Sequence, residues 1–352
     1  QPTQPTQPTQ PTQPTQPTQP TQPTQPECFV GVDVAKAHLV IARSDEVHPD
    51  GTPRIESLAN RERTVRSWLA KLPAGTVLVV ESTNTYHRLV CDVAHQAGLT
   101  VFLINPYWLR SYRQARGQRA KTDRCDAQLL VSYGQQNYQE LHPYEPLSPQ
   151  AGLLLLLLRR RGALVRQKVA LRLSLSELQE MPGVAASIRE SHRELMRHFD
   201  LLITHLEKQI QALLQTSELW REQSQRLQQV PGLGPLSTAA LLGALERGQF
   251  KTPEAFVSFL GLDPVAAESG QRSGRRSLSK KGDPQVRQIL YMAATACMHR
   301  TLWKEFAARY KARGLHHTQV ACLIARRLAI TAWCLVKRGT HFQPDKLFSP
   351  AS

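Results

Sequence analysis

The chain has 352 residues, and 44 Lys and Arg against 28 Asp and Glu give it a formal net charge of +16. Its six cysteines form no CxxC pair, and its longest apolar run is the six leucines at 153–158, whereas a membrane span needs about 20 apolar residues. These features argue against a zinc site, a disulfide framework and a membrane helix, and they favour a cytoplasmic protein with a polyanionic partner.

Residues 1–26 are a low-complexity run of Gln-Pro-Thr repeats, for which we predict disorder because it has no apolar side chains to bury. The charge of the remaining chain is uneven. Residues 27–145 carry 14 Lys and Arg against 13 Asp and Glu, and residues 146–352 carry 30 against 15. The second half is therefore the part expected to face a polyanion.

Residues 27–142 predict a mixed α/β domain. Strand patterns occur at 29–33, 38–42, 54–58, 76–80 and 100–104, and helical patterns occur at 60–71, 86–97, 107–119 and 123–137. Three strands, a crossover helix and then alternating strands and helices are typical of a mixed sheet covered by helices.

Residues 143–225 predict a proline-marked linker and two long helices that break at Pro182 and Gly183. Apolar residues recur at intervals of seven, which is the pattern of a coiled-coil seam. They are Leu157, Leu164, Leu171 and Leu178 in the first helix, then Ile188, Leu195 and Leu202, with Phe199, Leu206 and Leu213 four residues on. The seam can pair within one chain as a hairpin or between chains as a dimer contact, and the sequence does not separate the two.

Residues 226–345 predict a mainly α-helical domain, followed by a tail at 346–352. Helical patterns occur near 236–246, 253–260, 284–299, 302–312 and 317–338, and residues 263–283 form a loop rich in Gly, Ser, Arg and Lys.

Four acidic residues of the first domain are candidate metal ligands. Asp33 and Glu81 lie at the ends of apolar strands, and Asp123 and Asp126 share one face of a predicted helix. Carboxylates brought together repel one another unless cations compensate them, and such hard oxygen ligands suit Mg²⁺. Two Mg²⁺ ions can hold the attacking and leaving oxygens of a phosphodiester. The alternative is a hairpin turn at Asp33, a solvated strand end at Glu81 and a helix cap at Asp123; for the four acids together we favour the metal site.

A basic stripe leads up to these acids. Arginines at intervals of three stay on roughly one side of a helix, so they could guide a phosphate backbone, although an ordinary solvated helix face fits equally well. The stripe consists of Arg110, Arg113, Arg116 and Arg119, and Lys121 and Arg124 continue it.

A glycine-rich turn, Pro231 to Gly234, lies between two helical patterns. Gly232 and Gly234 would let backbone amides point outward beside the positive end of the following helix, as in a helix-hairpin-helix phosphate grip. An ordinary helix–helix turn also requires glycine.

The loop after residue 267 combines four serines with five cations. It is either a flexible nucleic-acid-binding loop or the site of a serine nucleophile whose neighbouring cations stabilise phosphoryl oxygens. The cations are Arg272, Arg275, Arg276, Lys280 and Lys281.

The chain resembles the DEDD transposases of bacterial insertion sequences, a family that includes the pilin-gene invertase and the bridge-RNA-guided recombinases. The resemblance covers about 28–340 and rests on motifs that follow one another in order. They are Phe29-Val-Gly-Val-Asp33-Val-Ala-Lys36, Val80-Glu81-Ser-Thr-Asn-Thr-Tyr86, Ile104-Asn-Pro106, Lys121-Thr-Asp123-Arg-Cys-Asp126-Ala127, Val230-Pro-Gly-Leu-Gly234, Phe259-Leu-Gly-Leu-Asp-Pro264, Glu268-Ser269-Gly270, Ser279-Lys-Lys-Gly282 and Arg287-Gln-Ile-Leu-Tyr-Met292.

This resemblance implies a RuvC-like domain with an RNase H fold, in which Asp33, Glu81, Asp123 and Asp126 bind Mg²⁺. It also implies a coiled coil for homo-oligomeric assembly as a dimer or tetramer, and a transposase domain in which Ser269 is the nucleophile. In such a family the serine forms a covalent phosphoserine link with DNA, and a noncoding bridge RNA pairs with donor and target DNA. The bacterial nucleoid would be its place of action.

Two rival functions remain. A RuvC-like junction nuclease would use the acids to activate water and would need no serine. A non-catalytic nucleic-acid-binding scaffold would need neither the acids nor Ser269.

Overall fold

The computed structural model describes residues 26–83, 85–179, 186–265 and 277–347. The predicted disorder of the Gln-Pro-Thr run up to residue 25 and the predicted helix break at Pro182 and Gly183 therefore lie outside the described residues. The chain forms two compact units, Gln1–Tyr144 and Glu145–Ser352.

The first unit is built on a five-stranded sheet. Its strands are β1 (Phe29–Val34), β2 (His38–Val47), β3 (Pro53–Ala59), β4 (Val77–Glu81) and β5 (Thr100–Ile104). Their order is β3-β2-β1-β4-β5; β2 is antiparallel to β1 and β3, whereas β4 is parallel to β1 and to β5. The predicted mixed sheet is confirmed, and this order is the one expected of an RNase H-like domain.

Helices cover both faces of the sheet, so the central strands are apolar on both sides. One core layer includes Val32 and Val80 and packs on α1 (Glu62–Leu69) and α2 (His87–Gln96). The other includes Phe29 and Val79 and packs on α3 (Pro106–Ala115) and α4 (Asp123–Asn137). Because side chains alternate along a strand, this parity decides which polar side chains face α3 and α4.

Gly31 allows α4 to lie directly on β1. A Cβ at this position would lie 2.1 Å from the Ala127 carbonyl oxygen and 2.8 Å from the Val131 nitrogen. Any side chain would therefore push the helix off the strand, which explains the glycine between two buried valines.

The second unit begins with a helical hairpin, α5 (Pro149–Gln179) and α6 (Ala186–Leu214). Ion pairs join Arg161 to Glu207 and Lys168 to Asp200. Lys168 lies seven residues after Arg161 on α5, whereas its partner Asp200 lies seven residues before Glu207 on α6. The two helices therefore run antiparallel. Of the two arrangements that the sequence allowed, pairing within the chain is the one observed.

One of the two predicted rows of α6 lies on its covered side. Leu213 is buried, and Phe199 and Leu206 are partly buried. The other predicted row, Ile188, Leu195 and Leu202, is about half exposed. Ile203 and Ile210, which are also seven residues apart, are buried instead.

The rest of the second unit is a helical core. Its elements are α7 (Glu218–Gln228), α8 (Pro235–Leu245), α9 (Pro253–Leu260), the short strands β6 (Pro264–Val265) and β7 (Ser277–Leu278), α10 (Pro284–Cys297), α11 (Thr301–Ala312), α12 (His317–Arg338) and a 3₁₀ turn at Pro344–Lys346. The helix α12 is long and apolar enough to cross a membrane by composition, but half of the tested stretch is buried in the unit. Ala151, Leu154 and Leu158 of α5 share this core, whereas the sequence predicted a boundary near residue 225. The six cysteines are free thiols; Cys28, Cys91 and Cys297 are buried, and the other three are partly exposed.

Candidate active site and nucleic-acid interface

Asp33 and Glu81 lie side by side at the ends of two parallel strands. The register pairs Val32 with Val80, so the next residue on each strand is an acid. Asp33 is four residues after Phe29 on β1, and Glu81 is two residues after Val79 on β4. Because side chains alternate along a strand, each acid lies on the same face as Phe29 and Val79, which pack on α3 and α4. Strand alternation therefore directs the two carboxyl groups towards the face that carries α4.

The first turn of α4 supplies the other two acids. Thr122 is the N-cap, and its hydroxyl accepts a hydrogen bond from the Cys125 amide at 3.2 Å. The alternative interpretation of Asp123 as the helix cap is therefore wrong. Its side chain is exposed and lies 3.9 Å from His38 Nε2, whereas Asp126 is buried. Both stand in the first turn of α4, at the positive end of the helix dipole.

The acids influence one another strongly. Burial, followed by the charges of Asp123 and Asp126, raises the pKa of Asp33 from 3.8 to about 6. Burial, followed by the charges of Asp33 and Asp126, also raises the pKa of Glu81, and Arg113 and Lys121 oppose this rise. The four predicted acids thus form one electrostatic cluster that has too little positive charge around it.

Arg113 occupies part of this cluster. Its Nη2 donates to Asp126 Oδ1, and the two side chains are only 12% and 8% exposed. Among the described residues, no group of three or more His, Cys, Asp and Glu side chains is placed to hold a metal ion. The predicted acids come together, but in this conformation the buried one is paired with arginine.

The predicted basic stripe is shorter and less uniform than its spacing indicates. The helix α3 ends at Ala115, and Gly117 follows with φ of +65°. Arg119, which the prediction placed in a helix over 107–119, therefore lies beyond the end of α3. Arg110, Arg116 and Arg119 are exposed. Arg113 turns instead towards Asp126, so it is not one of the solvent-facing cations that the spacing predicts.

The two glycines of the turn at Pro231 to Gly234 have different roles. Gly232 has φ of +107°, and a Cβ there would lie 2.8 Å from Cys297 Sγ, so packing alone requires this glycine. Gly234 is the exposed N-cap of α8, and a Cβ there would meet nothing within 4 Å. Because its N-cap has no side chain, α8 presents its first-turn amides without an N-cap acceptor. Only Gly234 keeps the features of the predicted phosphate grip.

The segment between β6 and β7, which we call the serine loop, is anchored by hydrogen bonds at both of its ends. Its four predicted residues Ser269, Arg272, Arg275 and Arg276 lie outside the described residues. On either side of the loop, β6 pairs with β7, and the Ser279 hydroxyl donates to Asp263. Lys280 is exposed with φ of +55°, whereas Lys281 is half-buried.

Two glycines let the chain cross itself near these ends. A Cβ on Gly282 would lie 2.1 Å from the Phe259 carbonyl oxygen, and one on Gly261 would lie 2.7 Å from the Gly282 nitrogen. Arg287 Nη1 donates to the carbonyl oxygens of Leu260 at 3.2 Å and Gly282 at 2.5 Å. The two ends of the serine loop are therefore held together by several independent contacts.

Sequence reasoning missed an aromatic pair beside the stripe. Tyr107 and Trp108 open α3, stand at 82° to each other and are each about half exposed. Exposed aromatic rings among cations are typical of surfaces on which nucleobases stack. The signal was present in the sequence, since both aromatics lie within the three residues before Arg110.

Family models match both units. A model described as Transposase, of the DEDD type of IS110, matches residues 30–179. A model described as Transposase IS116/IS110/IS902 family matches residues 224–311. The two matches follow one another along the chain and do not overlap.

Individual relatives agree with these models. The chain is 25% identical to the pilin gene-inverting protein of Moraxella bovis, over 75% of this chain and 81% of that protein. It is 27% identical to the transposase for insertion sequence element IS1328 of Yersinia enterocolitica, over 76% and 85%. It is 25% identical to a probable family 20 transposase of Pseudomonas aeruginosa, over 90% and 98%. Among solved structures, Thermus thermophilus RuvC is similar over 33% of this chain and 99% of that one, with 13% identity and a TM-score of 0.25.

Proposed function

The chain belongs to the IS110 family of insertion-sequence transposases, and from this we propose that it cuts and rejoins DNA strands through a covalent link between Ser269 and a DNA phosphate. The observation that carries the proposal is the presence, in one chain, of an acidic cluster on a five-stranded mixed sheet and of a serine-bearing loop whose two ends are held together by hydrogen bonds. The acids belong to the first family match and the serine loop to the second.

Asp33, Glu81, Asp123 and Asp126 would hold divalent metal, Mg²⁺ being the ion that suits their oxygens best. The chemistry of the donor set fits such an ion, because the raised pKa values of Asp33 and Glu81 mark a site with too little positive charge. In its bound form Mg²⁺ would stabilise negative charge on the phosphate oxygens at the scissile bond. Asp126, one of the four proposed ligands, is paired with Arg113 in this conformation.

The proposed strand transfer keeps the number of phosphate ester bonds constant. The Ser269 oxygen attacks phosphorus and loses its proton, and the bond from phosphorus to one DNA oxygen breaks, which leaves a hydroxyl end. The hydroxyl of another strand then attacks the phosphoserine and releases the serine. Because each step replaces one phosphate ester by another, no hydrolysis or high-energy cofactor is needed. The cations Arg272, Arg275, Arg276, Lys280 and Lys281 would bind the phosphate backbone near the serine.

The proposed partners are donor and target DNA, a noncoding bridge RNA and further copies of the chain. The charge of the second half supports nucleic-acid binding, with 30 Lys and Arg against 15 Asp and Glu in residues 146–352. Exposed Arg110, Arg116 and Arg119, together with Gly234, offer phosphate contacts in addition. Ile188, Leu195 and Leu202 support homo-oligomerisation, because they form an exposed apolar stripe on α6 that α5 does not cover.

The test is covalent trapping on labelled donor-junction DNA with Mg²⁺, in the presence and absence of RNA from the flanks of the element. The full chain should form a protein–DNA adduct that survives denaturation, and Ser269→Ala should abolish it. Ser273→Ala and Ser277→Ala are matched controls from the same loop that should keep it. Dependence on RNA would support guidance.

Two results would contradict the proposal. Free cleaved ends without an adduct, unchanged in Ser269→Ala, would identify a metal-dependent junction nuclease that uses water. Full recombination by both Asp33→Ala and Ser269→Ala would identify a scaffold without catalytic function.

A further inference from the structure

Arg113 is a buried cation that enters the acidic cluster from a separate helix. It lies on α3, and its partner Asp126 lies in the first turn of α4. Its charge also acts on Glu81, where it opposes the rise in pKa that burial and the neighbouring acids cause. One guanidinium thus serves two of the four acids that we propose as metal ligands.

The pairing between Arg113 and Asp126 is incomplete. Only Nη2 donates to the carboxylate, and within the described part of the chain the buried Nε of Arg113 has no hydrogen-bond partner. A buried arginine–carboxylate pair usually forms two parallel hydrogen bonds. An unsatisfied buried donor carries a desolvation cost, so this pair is easier to open than a fully bonded one.

Asp126 also interacts favourably with the helix that carries it. It stands in the first turn of α4, where the helix dipole favours negative charge. Arg113 keeps its charge at any ordinary pH, because arginine does not lose its proton. If Arg113 leaves, another cation must take its place beside the buried Asp126 carboxylate.

We propose that Arg113 is an internal counter-ion that holds Asp126 in the metal-free protein and exchanges with a divalent cation when the acidic cluster binds metal. The inference rests on the proposed metal role of the four acids. It explains why the acids cluster although, among the described side chains, no three of them are placed to hold an ion together. Arg113 is on this account a positioning residue, because it sets where the Asp126 carboxylate stands before metal arrives.

The exchange predicts a competition that can be measured without any DNA. Removal of the guanidinium in Arg113→Gln should free Asp126 and lower the dissociation constant for Mn²⁺ roughly tenfold, within the range of ordinary coupling between sites. The same variant should unfold at a lower temperature than the wild type in EDTA, and saturating Mn²⁺ should close that difference. Arg113→Lys, which keeps the charge but not the planar guanidinium, should bind Mn²⁺ with intermediate affinity.

The experiment is calorimetric titration of the full chain with Mn²⁺, together with thermal unfolding with and without the ion. Arg66→Gln is the control, since it removes an exposed arginine that pairs with Glu62 on α1 of the same unit. Its Mn²⁺ affinity should equal that of the wild type.

Each other outcome overturns the proposal. Equal or weaker Mn²⁺ binding by Arg113→Gln, beside normal binding by the wild type, would make Arg113 a fixed structural partner and would leave the proposed metal site intact. Failure of every variant and of the wild type to bind Mn²⁺ would overturn the metal site and the exchange together. If Arg113→Gln does not fold, unchanged affinity in Arg113→Lys would decide against exchange.

Discussion

Replacement of Asp33 by asparagine should stabilise the first unit, because the raised pKa of Asp33 is a cost that the folded protein bears. Burial and the charges of Asp123 and Asp126 raise the pKa of Asp33 from 3.8 to about 6. A rise of about two units corresponds to about 3 kcal/mol. Solvent reaches part of the carboxyl group and screens the repulsion, so we expect a gain of about 1–2 kcal/mol from Asp33→Asn.

The gain should depend on pH in a defined direction. The folded protein binds this proton more tightly than the unfolded chain, so the cost is absent below about pH 4. It grows as the pH rises from about 4 to about 6 and is then constant. Asp33→Asn should therefore match the wild type near pH 4 and exceed it above about pH 6 in buffer with EDTA.

The assay is urea-dependent pulse hydrogen–deuterium exchange, read on peptides from β1 and β4 because these report on the first unit alone. Asp50→Asn is the matched control. Hydrogen bonds from Thr52 lower the pKa of the exposed Asp50, so its removal should not increase stability at any pH. Parallel stability curves for the wild type and Asp33→Asn from pH 4 to 8 would refute the reasoning, since Asp33 would then ionise as it does in an exposed chain.

Three further substitutions test the packing and the interface. Gly31→Ala should lower the free energy of unfolding of the first unit by more than about 3 kcal/mol, because the new methyl group would overlap the Ala127 carbonyl. Thermal melting should then show no folded first unit, and full stability would contradict the β1–α4 contact. Gly282→Ala should open the base of the serine loop, and limited proteolysis between β6 and β7 should become faster than in the wild type. Trp108→Ala should weaken binding to single-stranded DNA by about 1–3 kcal/mol at any salt concentration, and an effect that vanishes at high salt would indicate a purely electrostatic role.

The sequence predicted the acidic cluster because strand periodicity carries the necessary information. Asp33 and Glu81 end two apolar strands, and parallel pairing of those strands brings their ends together. The interval of three between Asp123 and Asp126 then places both on one turn of α4. Strand alternation and helix periodicity are local properties, so the face on which each acid lies can be read from spacing alone.

The partner of Arg113 could not be read in this way. The interval of three predicted that Arg113 shares a surface with Arg110 and Arg116, but Leu109 and Tyr112 anchor α3 and turn position 113 inward. For the same reason, periodicity alone did not show which apolar rows of α6 pack on α5. Ile188, Leu195 and Leu202 fit a seam as well as the buried set does, and only the position of α5 distinguishes them. Features that depend on how two helices pack are not fixed by the periodicity of either one.

The electrostatics of the first unit connect these observations. Residues 27–145 are nearly neutral, with 14 Lys and Arg against 13 Asp and Glu, yet the charges are not matched in space. Arg110, Arg116 and Arg119 are exposed, whereas four acids converge at one edge, where within the described part of the chain only Arg113 forms a buried ion pair with one of them. Burial and the charges of the neighbouring acids together raise the pKa of Asp33. A chain that keeps its cations away from its acids leaves those acids a site for positive charge from outside, and this is the physical basis of both proposals about metal.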